Sequence, residues 1–477
     1  MNIAAENPKV ALITFGDHRK NEWEKVFQKL TEPRHQLLIE NLQKADFDLL
    51  YNENVARSRE DIAGQVAELT AQGAECLFVH TPCWTSPNLV VFGVQQMGLP
   101  TGVVGNRDPG THGCVGTFGA SGALWQIGYN HKVFRDHYNS PELIEKILPF
   151  ARAASAKKRL NGSVFGYFGG RSIGIDTSQF DPMQWRTEFG VDAEHIDQSE
   201  IIFRARAIEQ SRIDTMRTWI EGSAKEVIYN DLKMTKEKFD FQIACYLATK
   251  DICRDLGLDF TAVKCMPELS NNFVPQCMTA AFLPNNYDGD EGEKDATVMA
   301  CEADADGALT QQMLKIISGG MPTFFADVSH IDNDRKTIYC INCGALCAWY
   351  AGRCENPADN MSKITVKQSI RPGGGGITFF TAAEGPMQLA RLYRYSGKYK
   401  MAILPCEAVV PEQEVIDELI EARGPHQLPV LFAKVKFDID AFTQEYGSNH
   451  ISGVAGNYCG ELIELCNMLD IEPVVFE

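Results

Sequence analysis

The sequence predicts a mixed α/β chain: two doubly wound α/β domains, residues 1–158 and 159–336, then a β-rich, barrel-like C-terminal domain, residues 337–477. Three observations carry that prediction. Short apolar runs alternate with helix-compatible stretches over the first two thirds of the chain, the pattern of parallel sheets with crossover helices. From about Lys336 the pattern changes to turn-separated segments rich in β-formers: Ile338-Tyr339-Cys340, Ile364-Thr365-Val366, Ile377-Thr378-Phe379-Phe380 and Val430-Leu431-Phe432. A length of 477 residues with 44% hydrophobic side chains holds two or three such domains.

Lys9–Phe15 reads as a buried strand, with a polar helical stretch running to about Lys44. Phe47–Tyr51, Glu75–His80 and Leu99–Gly105 read as further strands, and Ser58–Gln72 as an amphipathic helix. The strand ends carry polar loops, His80 to Trp84 and Asn106 to Gly113. The small, basic stretch Arg152–Asn161 marks a linker or boundary helix. Ser163–Phe168 opens the second sheet and runs into Gly169-Gly170-Arg171-Ser172-Ile173-Gly174, which has neither phosphate-loop nor dinucleotide-fingerprint spacing. Long helices are expected at Glu200–Glu221 and Lys236–Leu256, the latter capped by Thr235, and a strand at Phe260–Cys265. Gly373 to Gly376 reads as a mobile turn, and Gly460–Leu469 as a closing helix.

The formal charge of −18 argues against nucleic acid and anionic membranes as partners. No apolar run is long enough to span a bilayer, and the N-terminus lacks the basic and apolar regions of a signal peptide. Fifteen cysteines scattered through apolar segments fit free thiols in a reducing cytoplasm.

The chemistry is expected in Val298–Asp332. An apolar run breaks into Glu302, Asp304 and Asp306. A helix follows, with Leu309, Met313, Leu314 and Ile317 at helical spacing, and Gly319-Gly320 stops it. A second run, Phe324-Phe325-Ala326, delivers Asp327. Both runs read as strands of one sheet, each finishing in a carboxylate. Buried acids at strand mouths need a positive partner, and a divalent cation answers that need. An EF-hand loop is excluded, because Met313 stands where its twelfth-position Glu belongs. Asp304 and Asp306 read as solvated acids at a capped helix start. Cys340-x-x-Cys343-x-x-x-Cys347 has a metal-site look, but Ile341, Ala345 and Leu346 around it read as core, and no second CxxC completes a zinc ribbon.

With Glu302, Asp327 and His450 laid out, the chain resembles the L-fucose isomerase / L-arabinose isomerase family. The best segments are Cys301 through Thr310, Pro322 through Asp327, and Ser448-Asn449-His450 with the closing Asp470-Ile471-Glu472. The resemblance implies that Glu302, Asp327 and His450 are ligands of a divalent metal, typically Mn2+, with Glu302 and Asp327 also catalytic. It implies a homo-oligomer, a hexamer or related assembly, with active sites at subunit interfaces. The Glu–Asp pairing matches the fucose-isomerase branch. The arabinose branch has a second Glu there and an extra His near Asn342-Cys343.

An aldose–ketose isomerase moves a proton between C1 and C2 through an ene-diol, and a hard cation with nearby carboxylates suits that chemistry. The family segment matching Asp108–Gly113 reaches a neighbouring subunit's site, which makes Arg107 and His112 candidate substrate contacts, with Trp84 as a wall and Asn449 beside His450. One divergent subgroup acts on sulfoquinovose, whose sulfonate needs a cationic pocket; Arg107, Arg171 or Arg371 would supply it. The rival of another class is a non-catalytic sugar-binding or regulatory protein on the same domains.

Overall fold

The computed structural model describes residues 6–344, 346–424 and 428–477, so Ala345 lies outside it. These residues form two compact units: a smaller one of residues 6–158 and 460–470, and a larger one of residues 159–459 and 471–477.

The smaller unit is a five-stranded parallel sheet in the order Asp48–Tyr51, Lys9–Thr14, Cys76–His80, Thr101–Asn106, His131–Asp136. Four of these strands were legible as apolar runs. His131–Asp136 was not, because only Phe134 and Asp136 of it are buried. The amphipathic helix is Arg59–Ala71, started by a capping box between Ser58 and Asp61. Pro87–Met97 and Gly113–Gln126 are further helices between strands. The basic stretch expected as a boundary is the last part of one helix, Pro141–Leu160. Residues 460–469 of the helix Cys459–Leu469 belong to this unit, where Arg152 meets Glu461 at 3.3 Å and Lys157 donates to the Met468 carbonyl at 2.6 Å.

The larger unit holds two principal sheets. The first is parallel, in the order Val298–Ala300, Phe260–Val263, Val164–Phe168, Asp192–Ile196. The second closes into a ring. Around it run Gly385–Tyr395, His450–Ala455, Thr323–Asp332, Thr337–Ile341, Val430–Lys434 and Lys398–Val409, which pairs back onto Gly385–Tyr395, all antiparallel. Glu472–Val475 adds a parallel strand at Lys398–Val409. The expected barrel is therefore present, as closure of an antiparallel sheet leaves no unpaired edge. The helix Ala305–Ile317, every residue buried, packs against strands of both sheets.

Several expectations need correction. Val298–Ala300 and Thr323–Asp332 belong to different sheets, and the latter runs on five residues past Asp327. The long helix expected at Glu200–Glu221 is two, Ser199–Ala205 and Gln210–Ser223, because Glu209 takes an extended backbone between them. Thr365–Gln368 and Gly376–Phe379 leave the ring for a small separate sheet with Glu226–Val227. The glycine run is not a mobile turn: Gly373 and Gly375 are buried and donate to the carbonyls of Ser270 and Lys233. A Cβ on Gly373 would stand 2.2 Å from the Phe273 carbonyl oxygen, so close backbone packing is what selects glycine there. Lys236–Leu256 forms with Thr235 as its cap, as expected. Among the described residues no helix is long and apolar enough to cross a membrane, and all fifteen cysteines are free.

Candidate metal centre

Glu302, Asp327 and His450 come together. One ligand atom from each lies within 4.8 Å of the others. Three different local devices put them there.

Asp327 and His450 are directly opposed in the antiparallel pairing of Thr323–Asp332 with His450–Ala455, so the ring's register alone brings their side chains together. The Val328 amide donates to the Asn449 carbonyl at 2.8 Å, fixing the entry to that pairing. Glu302 arrives from the parallel sheet. It sits in the tight turn Cys301–Ala303 just after Val298–Ala300. Glu302 and Ala303 have φ of 60° and 53°, the left-handed region that side-chain-bearing residues avoid. Such strain costs about 1–3 kcal/mol per residue and clusters where function needs a side chain aimed.

His450 is fully buried, and both its ring nitrogens meet carboxylates. Nε2 stands 2.7 Å from Oε2 of Glu302 and 3.3 Å from Oδ1 of Asp327. Nδ1 stands 2.7 Å from Oδ2 of Asp304. Burial opposes charge on this imidazole, but the three acids outweigh it and raise its pKa well above the ordinary value. Burial raises the Glu302 pKa, with nearby Asp327 adding to it and His450 opposing it.

Asp304 corrects the sequence reading. It caps the helix Ala305–Ile317, accepting from the Gly307 amide at 2.9 Å, but it is wholly buried rather than solvated. Its carboxylate is shared between His450 and the buried Arg391, whose guanidinium holds it with both terminal nitrogens. Burial alone would raise its pKa; Arg391 and His450 win and hold it down to about 2. Arg391 also donates to the Thr177 carbonyl at 2.8 Å. Gly307 lies under this pair: a Cβ there would meet Arg391, Asp304 and the Phe325 ring, each at 2.8 Å. Asp306 is buried too. It accepts from the Tyr399 hydroxyl at 2.9 Å and faces Arg394 at 3.3 Å. Burial outweighs these partners and pushes its pKa up to about 7.

Around the triad, Asn342 donates to Asp327 at 3.3 Å. Cys343 does not gather Cys340 and Cys347 into a cluster among the described residues; it stands beside Cys301 and Glu302 instead. Its thiol lies against Cys277, Cys301 and Arg371, which together hold its pKa well below the usual thiol value despite burial. Asn449 accepts from the Thr177 hydroxyl at 3.0 Å. Arg171 pairs with Asp176 at 2.5 Å on the surface.

The remaining candidates belong to the smaller unit. Trp84 packs with Trp23, Phe27 and Cys83, Arg107 meets Asp136 at 3.6 Å, and the His112 ring meets Phe27 edge-on at 6.3 Å. Sequence reasoning missed Arg391 and the role of Asp304. Arg391 lies in the run Met387–Tyr393, every residue of which is buried, so no alternation marked it.

A hard divalent ion suits this donor set of two carboxylates and one imidazole. A family model described as L-fucose isomerase, first N-terminal domain, matches residues 7–162, and one described as L-fucose isomerase, C-terminal domain, matches residues 340–477. His450 falls inside the second match; Glu302 and Asp327 lie between the two. A sulfoquinovose isomerase from Clostridium sp. (strain MSTE9) is 24% identical over 373 residues, covering 76% of each chain. One from Priestia aryabhattai is 21% identical over 445 residues, covering 89% of this chain and 90% of its own. Among solved structures, a periplasmic solute binding protein from Actinobacillus succinogenes with bound D-allose aligns at 14% identity over 56% of this chain and 82% of its own. The TM-score of that alignment is 0.16. The two family models, together with the sulfoquinovose isomerase relatives, place the chain in the L-fucose isomerase family, and it is an aldose–ketose isomerase.

Proposed function

We propose that this isomerase holds a divalent cation, manganese, on Glu302, Asp327 and His450, and moves a proton between C1 and C2 of a monosaccharide through an ene-diol. The observation that carries this reading is the single imidazole nitrogen facing both acids, at 2.7 Å and 3.3 Å. When bound, the cation supplies a Lewis acid for the two substrate oxygens on which charge develops.

The chain's own residues do the rest. Asp304 takes the Nδ1 side of His450 and leaves Nε2 as the ligand atom, the arrangement that orients metal-binding histidines. Arg391 keeps Asp304 ionised. Glu302 and Asp327 are the proton carriers, Glu302 enclosed and Asp327 with a third of its side chain open to an entering sugar.

For the substrate we favour a sulfonated aldose, sulfoquinovose, going to sulfofructose. The relatives quoted above act on sulfoquinovose by name. Arg371 also has a buried Nε without a hydrogen-bond partner, a donor suited to an anion. A neutral aldose of the fucose or arabinose type is the alternative. The working unit is read as a homo-oligomer, a hexamer by family resemblance, in the cytoplasm. The helix that follows His112 exposes Val115, Phe118 and Trp125, an apolar stripe that a second subunit would cover.

The test is ketose formation from sulfoquinovose, L-fucose, D-arabinose and L-arabinose by chelated protein, before and after manganese. Loss on chelation and recovery with manganese is expected. Glu302→Gln and Asp327→Asn should each lose both metal affinity and rate. Full turnover by metal-free protein would end the metal reading. Turnover of neutral aldoses but not sulfoquinovose would end the sulfonate reading.

A further inference from the structure

The triad does not exhaust the ligand atoms around Glu302. The sulfurs of Cys301 and Cys343 and a Glu302 carboxylate oxygen form a second set, again all within 4.8 Å of one another. Cys301 precedes Glu302 in the same strained turn. Cys343 lies just past the strand Thr337–Ile341. Cys277, on the short helix Cys277–Phe282, lies beside this set and donates its thiol proton to the Cys343 carbonyl at 2.8 Å.

This set differs in kind from the triad. Oxygen and imidazole donors suit hard ions, whereas clustered thiolates select zinc and other soft cations. With zinc–sulfur bonds of about 2.3 Å in a tetrahedron, two sulfurs stand about 3.8 Å apart. Atoms already within 4.8 Å reach that spacing by side-chain movements of about 1 Å or less. Cys301 and Glu302 are buried, and Cys343 is half-buried. Arg371, partly exposed, lies against the Cys343 sulfur and is the cation that an incoming metal displaces.

We infer that Cys301, Cys343 and Glu302 form a second metal site that takes a thiophilic divalent cation and, by drawing Glu302 away from His450, empties the triad of its hard ion. The exclusion rests on the triad being the manganese centre; the thiophilic site itself does not. Glu302 is the shared group, and it reaches both sets from one turn. The consequence is inhibition by zinc or cadmium through displacement, not through blockage of substrate.

The experiment titrates cadmium into the full-length, metal-free protein and reads the thiolate-to-cadmium charge-transfer absorbance. One cadmium per chain should give the band. Cys301→Ser and Cys343→Ser should each weaken cadmium binding by about tenfold or more, while Cys114→Ser leaves it unchanged. Retained manganese binding by Cys343→Ser, read by electron paramagnetic resonance, shows that variant to be folded. In protein loaded with manganese, cadmium should release the manganese one for one. No band, or a band unaltered in both serine variants, overturns the site. A full band with manganese still bound overturns the exclusion. A Cys301- and Cys343-dependent band in protein that never binds manganese leaves the thiophilic site standing and ends the triad reading.

Discussion

His450 and Asp304 stand 2.7 Å apart through Nδ1 and Oδ2, so the candidate ligand is itself held by a fully buried acid. That acid is held in turn by Arg391. Asp304→Asn should therefore weaken manganese binding by about 10–100-fold although Asp304 is no ligand, because the imidazole loses the partner that fixes its orientation. Calorimetric titration of metal-free protein checks this. Arg391→Met strips Asp304 of its counter-charge and should cost about 3–5 kcal/mol of stability. Gly307→Ala should lower both stability and metal affinity, since its new Cβ collides with the same pair. Unchanged metal affinity in Asp304→Asn would remove Asp304 from the site's support.

Legibility from sequence followed the physics of each element. Asp327 was readable because an apolar run led straight to it. Its partner His450 was readable only through family resemblance, since the register that opposes the two spans more than a hundred residues. Asp304 was read as a solvated cap; the capping half was right. The burial was invisible because it depends on two sheets closing over one helix. The long hairpin Gly385–Tyr395 with Lys398–Val409 went unread, though Ser396-Gly397 marks its turn. Both residues have positive φ, the tight primed turn that twisted strands prefer.

Asp306 sets a pH dependence of stability. Its folded pKa is raised from 3.8 to about 7 by burial. Below 3.8 both folded and unfolded chains carry the proton. As pH rises toward 7 the unfolded chain releases it first, so the folded state loses stability by at most about 1.4 kcal/mol per pH unit. Asp306→Asn cannot ionise and escapes this loss. Its stability relative to the native chain should therefore grow between pH 4 and pH 7 and level off above, as thermal unfolding across that range will read. A difference independent of pH would show that Arg394 and Tyr399 keep Asp306 ionised throughout.

Composite sites would make inactive chains complement one another. His112 precedes the exposed stripe of Val115, Phe118 and Trp125, and the proposed assembly carries it to a neighbour's centre. His112→Ala and Glu302→Gln chains, each inactive alone, should regain activity when unfolded together and refolded as mixed oligomers. No recovery in verified mixed oligomers would return His112 to its own chain's chemistry or to none.

The substrate's far end turns on Arg371. Of the three arginines the sequence offered, Arg171 already pairs with Asp176 on the surface, and Arg107 faces Asp136. Arg371 lies against Cys343, next to Glu302, and keeps a buried Nε without a partner. A sulfonate leaving water needs charge-assisted hydrogen bonds, each worth about 1.5–3 kcal/mol. Arg371→Met should then raise KM for sulfoquinovose by about 10–100-fold, the same energy expressed as affinity. The KM for a neutral aldose should hardly move, because the metal-binding end of the sugar is untouched. Added salt should weaken sulfoquinovose binding to the native enzyme more than to Arg371→Met, since screening acts on the charge pair. Steady-state kinetics on sulfoquinovose and L-fucose side by side decide it. Equal losses on both sugars would make Arg371 a structural partner of Cys343, and the sulfonate would have to be held elsewhere.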